Sequence, residues 1–76
     1  MRRLGTVDRL AQGLLVVRAG EGDDPPDLGT SVVDESLSTV GRVVDVFGPV
    51  ERPYLAVDPA DGVDRAALVG DPVYAR

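Results

Sequence analysis

Val40-Gly41-Arg42-Val43-Val44-Asp45-Val46-Phe47-Gly48-Pro49-Val50-Glu51-Arg52-Pro53-Tyr54-Leu55-Ala56-Val57 decides how this chain reads. Two strand-like runs, Arg42 to Phe47 and Tyr54 to Val57, flank a connection that carries Pro49 and Pro53. Proline cannot donate to a sheet ladder, so the two runs are expected to form a hairpin with a stiff tip. The tip is apolar, with Phe47, Pro49, Val50, Pro53 and Tyr54, whereas connections normally run over the surface and are polar. Either these groups fold back onto the body, or another protein covers them.

Working outward from the hairpin, the rest of the chain reads as short strands and turns. Leu4 to Val7 is a strand candidate, and Ala11-Gln12-Gly13 offers a turn in which Gly13 takes positive φ without steric cost. Leu14 to Ala19 is a nearly continuous apolar run bounded by Gly13 and Gly20, which favours a buried strand paired with the first. A third strand centres on Val32 and Val33, and Asp34-Glu35-Ser36 turns the chain. The fourth strand runs from about Ser38 to Phe47. Strict alternation places Val40, Arg42, Val44 and Val46 on one face and Gly41, Val43, Asp45 and Phe47 on the other. Gly41 marks a bend or a close backbone approach. Tyr54 to Val57 makes the fifth strand, and Val63 to Val69 is open between a helical turn and irregular chain. Asp71 to Tyr74 closes with a strand able to pair with the first. The expected fold class is all-β: one domain, residues 1–76, forming a small closed antiparallel barrel of about six strands. Closure removes the open edges that would otherwise invite aggregation.

Composition bounds the chemistry. A domain of 76 residues without Cys buries only about 60% of the surface its unfolded chain exposes, so its core must be efficient or shared with a partner. No run approaches the ~20 apolar residues of a membrane span, and no apolar signal region follows Met1-Arg2-Arg3. The expectation is a soluble, cytoplasmic protein with no membrane partner. Of 13 acidic residues 10 are Asp, and none of the 8 basic residues is Lys, for a net charge of −5. Asp-rich, Lys-free surfaces suit a high-salt cytoplasm, where repulsion among carboxylates is screened, and point to a halophilic archaeon. The reading weighed against it, and ranked below it, is a small-sample accident in a GC-rich genome, which also favours Arg over Lys.

A catalytic role is disfavoured. His and Cys are absent, which removes the commonest general base, the imidazole ligands and the thiol nucleophile. No phosphate-cradling glycine loop precedes a Lys. Asp23, Asp24 and Asp27 lack the spacing of a calcium loop, and Asp58, Asp61 and Asp64 read as the rim of a turn. No catalytic residue, metal site, cofactor or small-molecule substrate is therefore expected. Direct sequence-specific RNA binding is disfavoured too, because the arginines are scattered and one Phe, two Tyr and no Trp give little material for stacking bases. A carboxylate-based enzyme or cation binder using the acidic loops is the contrasting hypothesis, and metal titration of a chelator-treated sample discriminates it.

A protein-binding module is the positive reading. Pro49 and Pro53 restrict the connection before any partner arrives, so less entropy is lost on docking. Phe47 and Tyr54 are the candidate anchors and Arg52 the rim. The plainer reading is that both aromatics plug the ends of a barrel with little other core. The expected partner-binding residues are Val46, Phe47, Gly48, Pro49, Val50, Arg52, Pro53 and Tyr54.

The same stretch carries a resemblance. Val40-Gly41-Arg42-Val43, Asp45-Val46-Phe47-Gly48-Pro49-Val50 and Pro53-Tyr54 resemble the central signature of the glycine-arginine-rich (Gar) subunit of box H/ACA RNA-protein complexes in its short archaeal form. Leu4-Gly5-Thr6-Val7, Gly13 to Ala19, and Gly70, Pro72 and Tyr74 are similar to that family's opening and close. The resemblance implies a subunit without an active site that docks on the catalytic domain of a dyskerin-type pseudouridine synthase and meets the guide RNA only indirectly. By that implication it regulates substrate loading and product release in guided rRNA pseudouridylation. The glycine-arginine-rich tails that name the family in eukaryotes do not occur in these residues, so no RNA contact attributed to them carries over. Gly29 to Asp45 also resembles PRC-barrel domains, which implies a ribosomal-protein partner in ribosome maturation. That pattern stops before Phe47-Gly48-Pro49-Val50.

Overall fold

Gln12 and Gly13 both adopt positive φ, at 54° and 79°, which matches the twist of a tight two-residue hairpin and folds the first two strands together. The computed structural model describes residues 2–20 and 24–76. It contains β1 (Arg2–Ala11), β2 (Leu14–Ala19), β3 (Ser31–Val33), β4 (Thr39–Phe47), β5 (Tyr54–Pro59), a single helical turn α1 (Arg65–Leu68) and β6 (Pro72–Ala75). All pairings are antiparallel, and the order β1-β2-β5-β4-β3-β6 closes because β6 pairs with β1. The fold is the expected closed six-stranded antiparallel barrel.

Its interior is filled by Leu4, Val7, Leu15, Val17, Val32, Val40, Val43, Leu55, Val57 and Val73, each nearly inaccessible to solvent. No buried side-chain polar atom among the described residues lacks a hydrogen-bond partner. β-branched and leucine side chains of this size suit the centre of a small barrel.

Two sequence expectations fail, and both failures come from bulges. β1 does not end at Val7: a register shift between Val7 and Arg9 takes Asp8 out of the ladder, and the strand continues to Ala11 with Asp8, Arg9 and Leu10 exposed. In β4 the alternation breaks twice. Val40 is an extra residue opposite β3 and Val44 an extra residue opposite β5. Each bulge shifts the face of everything beyond it. Val40, Val43 and Val46 consequently point toward the core, while Arg42, Val44 and Asp45 are exposed. The even face of Val40, Arg42, Val44 and Val46 does not exist. The expected close approach at Gly41 does: a Cβ there would collide with the carbonyl oxygen of Asp58 on β5.

The acidic stretches serve the chain's own turns. Asp64 caps α1, accepting from the Ala67 amide at 3.3 Å. Asp24 and Asp27 are exposed, with the Asp27 carbonyl accepting from Thr30 Oγ1 at 2.6 Å, and Asp23 lies outside the described residues. Among the described residues no group of three or more His, Cys, Asp or Glu side chains is placed to hold a metal ion, and no helix is long and apolar enough to cross a membrane.

Candidate protein-docking site

The register of four neighbouring strands builds the site. Thr6 on β1 faces Arg18 on β2, Arg18 faces Tyr54 on β5, and Tyr54 faces Phe47 on β4. Core residues Val17, Leu55 and Val46 adjoin this row along their strands, so the row itself turns to the barrel's outer surface. Phe47 and Tyr54 are thus outer-wall residues and plug neither end of the barrel. Their rings stack with centroids 5.6 Å apart and planes 21° apart. Such pairs contribute about 0.5–1.5 kcal/mol beyond the area they bury.

Two arginines complete the cluster. The Arg18 guanidinium lies 5.9 Å from the Tyr54 ring centroid and that of Arg9 lies 5.4 Å from it. At these distances the ring's negative face attracts the cation. Arg9 also pairs with Asp8 at 2.9 Å. Sequence reasoning placed Tyr54 and Phe47 here but missed Arg9 and Arg18, which sit far from them along the chain. The signal that joins them is the pairing of β2 with β5 and the bulge at Asp8, and neither is visible in a linear pattern.

The connection beyond Phe47 is held from β2. Ala19 donates its amide to the Pro53 carbonyl at 3.1 Å, and its own carbonyl accepts from Arg52 Nε at 3.3 Å. Inside the turn, the Arg52 amide donates to the Pro49 carbonyl at 3.3 Å. Gly48 takes φ of +89°, and a Cβ there would stand 2.9 Å from the Tyr54 ring, so only glycine lets the turn lie against that ring. Pro53 is buried, and Val46 packs partly against the core. Of the eight residues expected to meet a partner, these two therefore act as supports. Phe47, Gly48, Pro49, Val50 and Arg52 are exposed and Tyr54 is half-buried. Val50 is 92% exposed and Phe47 38%. The arrangement is a preorganised apolar projection beside a stacked aromatic pair with cationic side chains over it. It offers shape and charge for binding.

Comparison with known proteins agrees with this architecture. The Gar1 domain of Naf1 superposes with a TM-score of 0.73 over 99% of this chain and 81% of that one, at 15% identity, a likeness of fold. An uncharacterized protein of Methanothermobacter thermautotrophicus is 27% identical over 78 residues, covering 97% of this chain and 82% of the relative. The family model described as the Gar1/Naf1 RNA binding region matches residues 1–76, including the run from Val46 to Val50 that the PRC-barrel pattern does not reach. With that match over its full length, on a closed barrel of the same fold, the chain belongs to the Gar1/Naf1 RNA binding region family.

Proposed function

We propose that this chain is a non-catalytic, protein-binding subunit of a box H/ACA ribonucleoprotein. It docks the Phe47 to Tyr54 connection on the catalytic domain of a dyskerin-type pseudouridine synthase and regulates substrate loading and product release in guided rRNA pseudouridylation. Family membership supports association with H/ACA particles. The observation that carries the docking is the exposed apolar tip, with Val50 at 92% exposure, tied to β2 through both backbone groups of Ala19, whose amide donates to the Pro53 carbonyl and whose carbonyl accepts from the Arg52 side chain. A preordered apolar projection loses little entropy on binding, and a stacked aromatic pair is the kind of anchor that concentrates binding energy.

Guide RNA is met indirectly in this reading. The family's description names RNA, but Tyr54 is stacked on Phe47 and approached by two arginines, so Phe47 is the one exposed ring of the pair, where a base-stacking platform uses several. The Asp-rich, Lys-free composition supports a high-salt cytoplasm as the working environment.

Regulation requires that the chain bind two states of the synthase with different affinity, since equal affinity shifts nothing. The test is guided pseudouridylation with and without the chain, under single-turnover and multiple-turnover conditions. The expected result is a faster multiple-turnover rate with an unchanged isomerisation step. Identical rates in both regimes, with the complex shown to be assembled, would sink the regulatory reading.

A further inference from the structure

Half of the chain's arginines gather on one side of the barrel. Arg9 and Arg18 lie near Tyr54, and Arg3, Arg18 and Arg52 line a shallow concavity of about 230 Å³ with Gly5, Thr6 and Ala19 among its walls. No residue lining that concavity carries a carboxylate. Among the described residues the sole ion pair is Arg9 with Asp8, which leaves Arg3, Arg18 and Arg52 outside it. In a chain of net charge −5 this is a local reversal of sign beside the apolar tip.

The guanidinium groups are positioned. Arg3 Nη2 donates to Thr6 Oγ1 at 3.1 Å and Arg52 Nε donates to the Ala19 carbonyl at 3.3 Å. Each of these bonds uses one donor and leaves the others of a planar, always-charged fork for an incoming anion. We propose that the Arg3-Arg18-Arg52 concavity receives a carboxylate side chain of an acidic segment on the partner protein, adjoining the contact made by Phe47 and Val50. This rests on the docking reading above and adds the charge chemistry of the surface that fits it.

Charge complementarity with carboxylates rather than with an RNA backbone follows from three features. A polynucleotide is gripped by a basic track with several phosphate contacts, whereas these arginines converge on one concavity in an acidic molecule. Of the neighbouring rings, Tyr54 is stacked on Phe47 and approached by Arg9 and Arg18, which leaves one exposed aromatic where a single strand is gripped by several. The concavity has side-chain dimensions, and bidentate Arg-carboxylate pairing suits its planar donors.

The test is amide and arginine Nε NMR of the isotope-labelled chain, titrated with tetraglutamate peptide, with inorganic phosphate and with oligouridylate, at moderate and at molar potassium chloride. The expected result is saturable shifts at Gly5, Thr6, Ala19 and the three arginine Nε signals with tetraglutamate, at least roughly tenfold weaker in Arg52→Gln and in Arg3→Gln. Arg3→Gln leaves the aromatic pair untouched, so it remains informative if Arg52→Gln disturbs the turn. Tighter binding of oligouridylate at the same signals would overturn the proposal in favour of RNA. Response to phosphate alone, or no saturable shift with any probe, would overturn it as well. Peptide binding by a chain that ignores the synthase would sink only the docking reading. Synthase binding that is unchanged in both folded variants would sink only this inference.

Discussion

The two turns at the ends of β4 are built in opposite ways. Between β3 and β4, Asp34 acts as a hub: its Oδ1 accepts from the Ser36 amide at 2.9 Å, the Ser36 hydroxyl at 2.8 Å and the Ser38 amide at 3.0 Å. Leu37 takes a left-handed φ of 68° to close that turn. Between β4 and β5, Pro49 and Val50 stand exposed, and the one bond within the turn, from the Arg52 amide to the Pro49 carbonyl, is joined by a hold from outside it, from Ala19. The first turn answers its polar groups within five residues. The second leaves apolar surface that the chain itself does not cover. The first turn exposes one large apolar side chain, Leu37 at 54%, whereas the second exposes Phe47, Pro49 and Val50 side by side, and it is the contiguous apolar patch that points outward.

The contrast depends on β4 keeping its two bulges and its close approach to β5, so the largest effect is expected inside the strand. Gly41→Val drives a side chain into the Asp58 carbonyl and should cost about 3 kcal/mol or more, a large share of the stability of so small a domain. Denaturant unfolding reads it, and a wild-type midpoint would show that the strands separate without cost. Next comes the anchor. Phe47→Ala should weaken synthase binding by about 2 kcal/mol and should lower folding stability by about 1–2 kcal/mol, the ring being 38% exposed and stacked on Tyr54, so that the variant stays folded for the binding measurement. If the variant unfolds before binding is measurable, Phe47 belongs to the body and the contrast weakens.

Val50→Ser sharpens the same comparison. At 92% exposure its stability should stay within about 0.5 kcal/mol of wild type, and any loss of binding, expected at about 1 kcal/mol, is then the partner's. The smallest effect belongs to the polar turn. The Ser36 side chain, followed by the Ser38 and Ser36 backbone amides, holds the Asp34 carboxyl below its ordinary value. A depressed folded value means that its contribution is complete above the unfolded carboxylate range and is lost as pH falls through the lower folded value. Asp34→Ala should therefore lower the melting temperature slightly at neutral pH and should flatten the acid-side decline below about pH 4. The site is exposed and solvent screens it, so the change is small. Synthase binding should not move, and a lost complex would show that this turn, too, meets the partner.

How far the sequence was legible follows from the same two turns. The prolines, the Gln12-Gly13 turn and the short β-branched runs were enough for six strands and closure, because turn chemistry and period-two patterning act locally. Where the pattern failed, at Val40, at Val44 and beyond Val7, a bulge had inserted a residue, which shows only as two residues set against one on the partner strand. The apolar tip was readable as an oddity of composition. Its supports are not: Pro53 falls among the expected partner-binding residues yet is buried, and arginines scattered along the chain are gathered by strand register, Arg9 and Arg18 around Tyr54. Contacts across strands belong to register, and register emerges only when the barrel closes.

The most direct test of the docking claim is a calorimetric titration of the chain into its pseudouridine synthase without guide RNA, in molar potassium chloride, run side by side for wild type, Phe47→Ala and Asp34→Ala. The account predicts one-to-one binding for wild type and Asp34→Ala, with a loss of about 2 kcal/mol confined to a folded Phe47→Ala. No binding by a folded wild-type chain, or equal affinity across all three proteins, would contradict it.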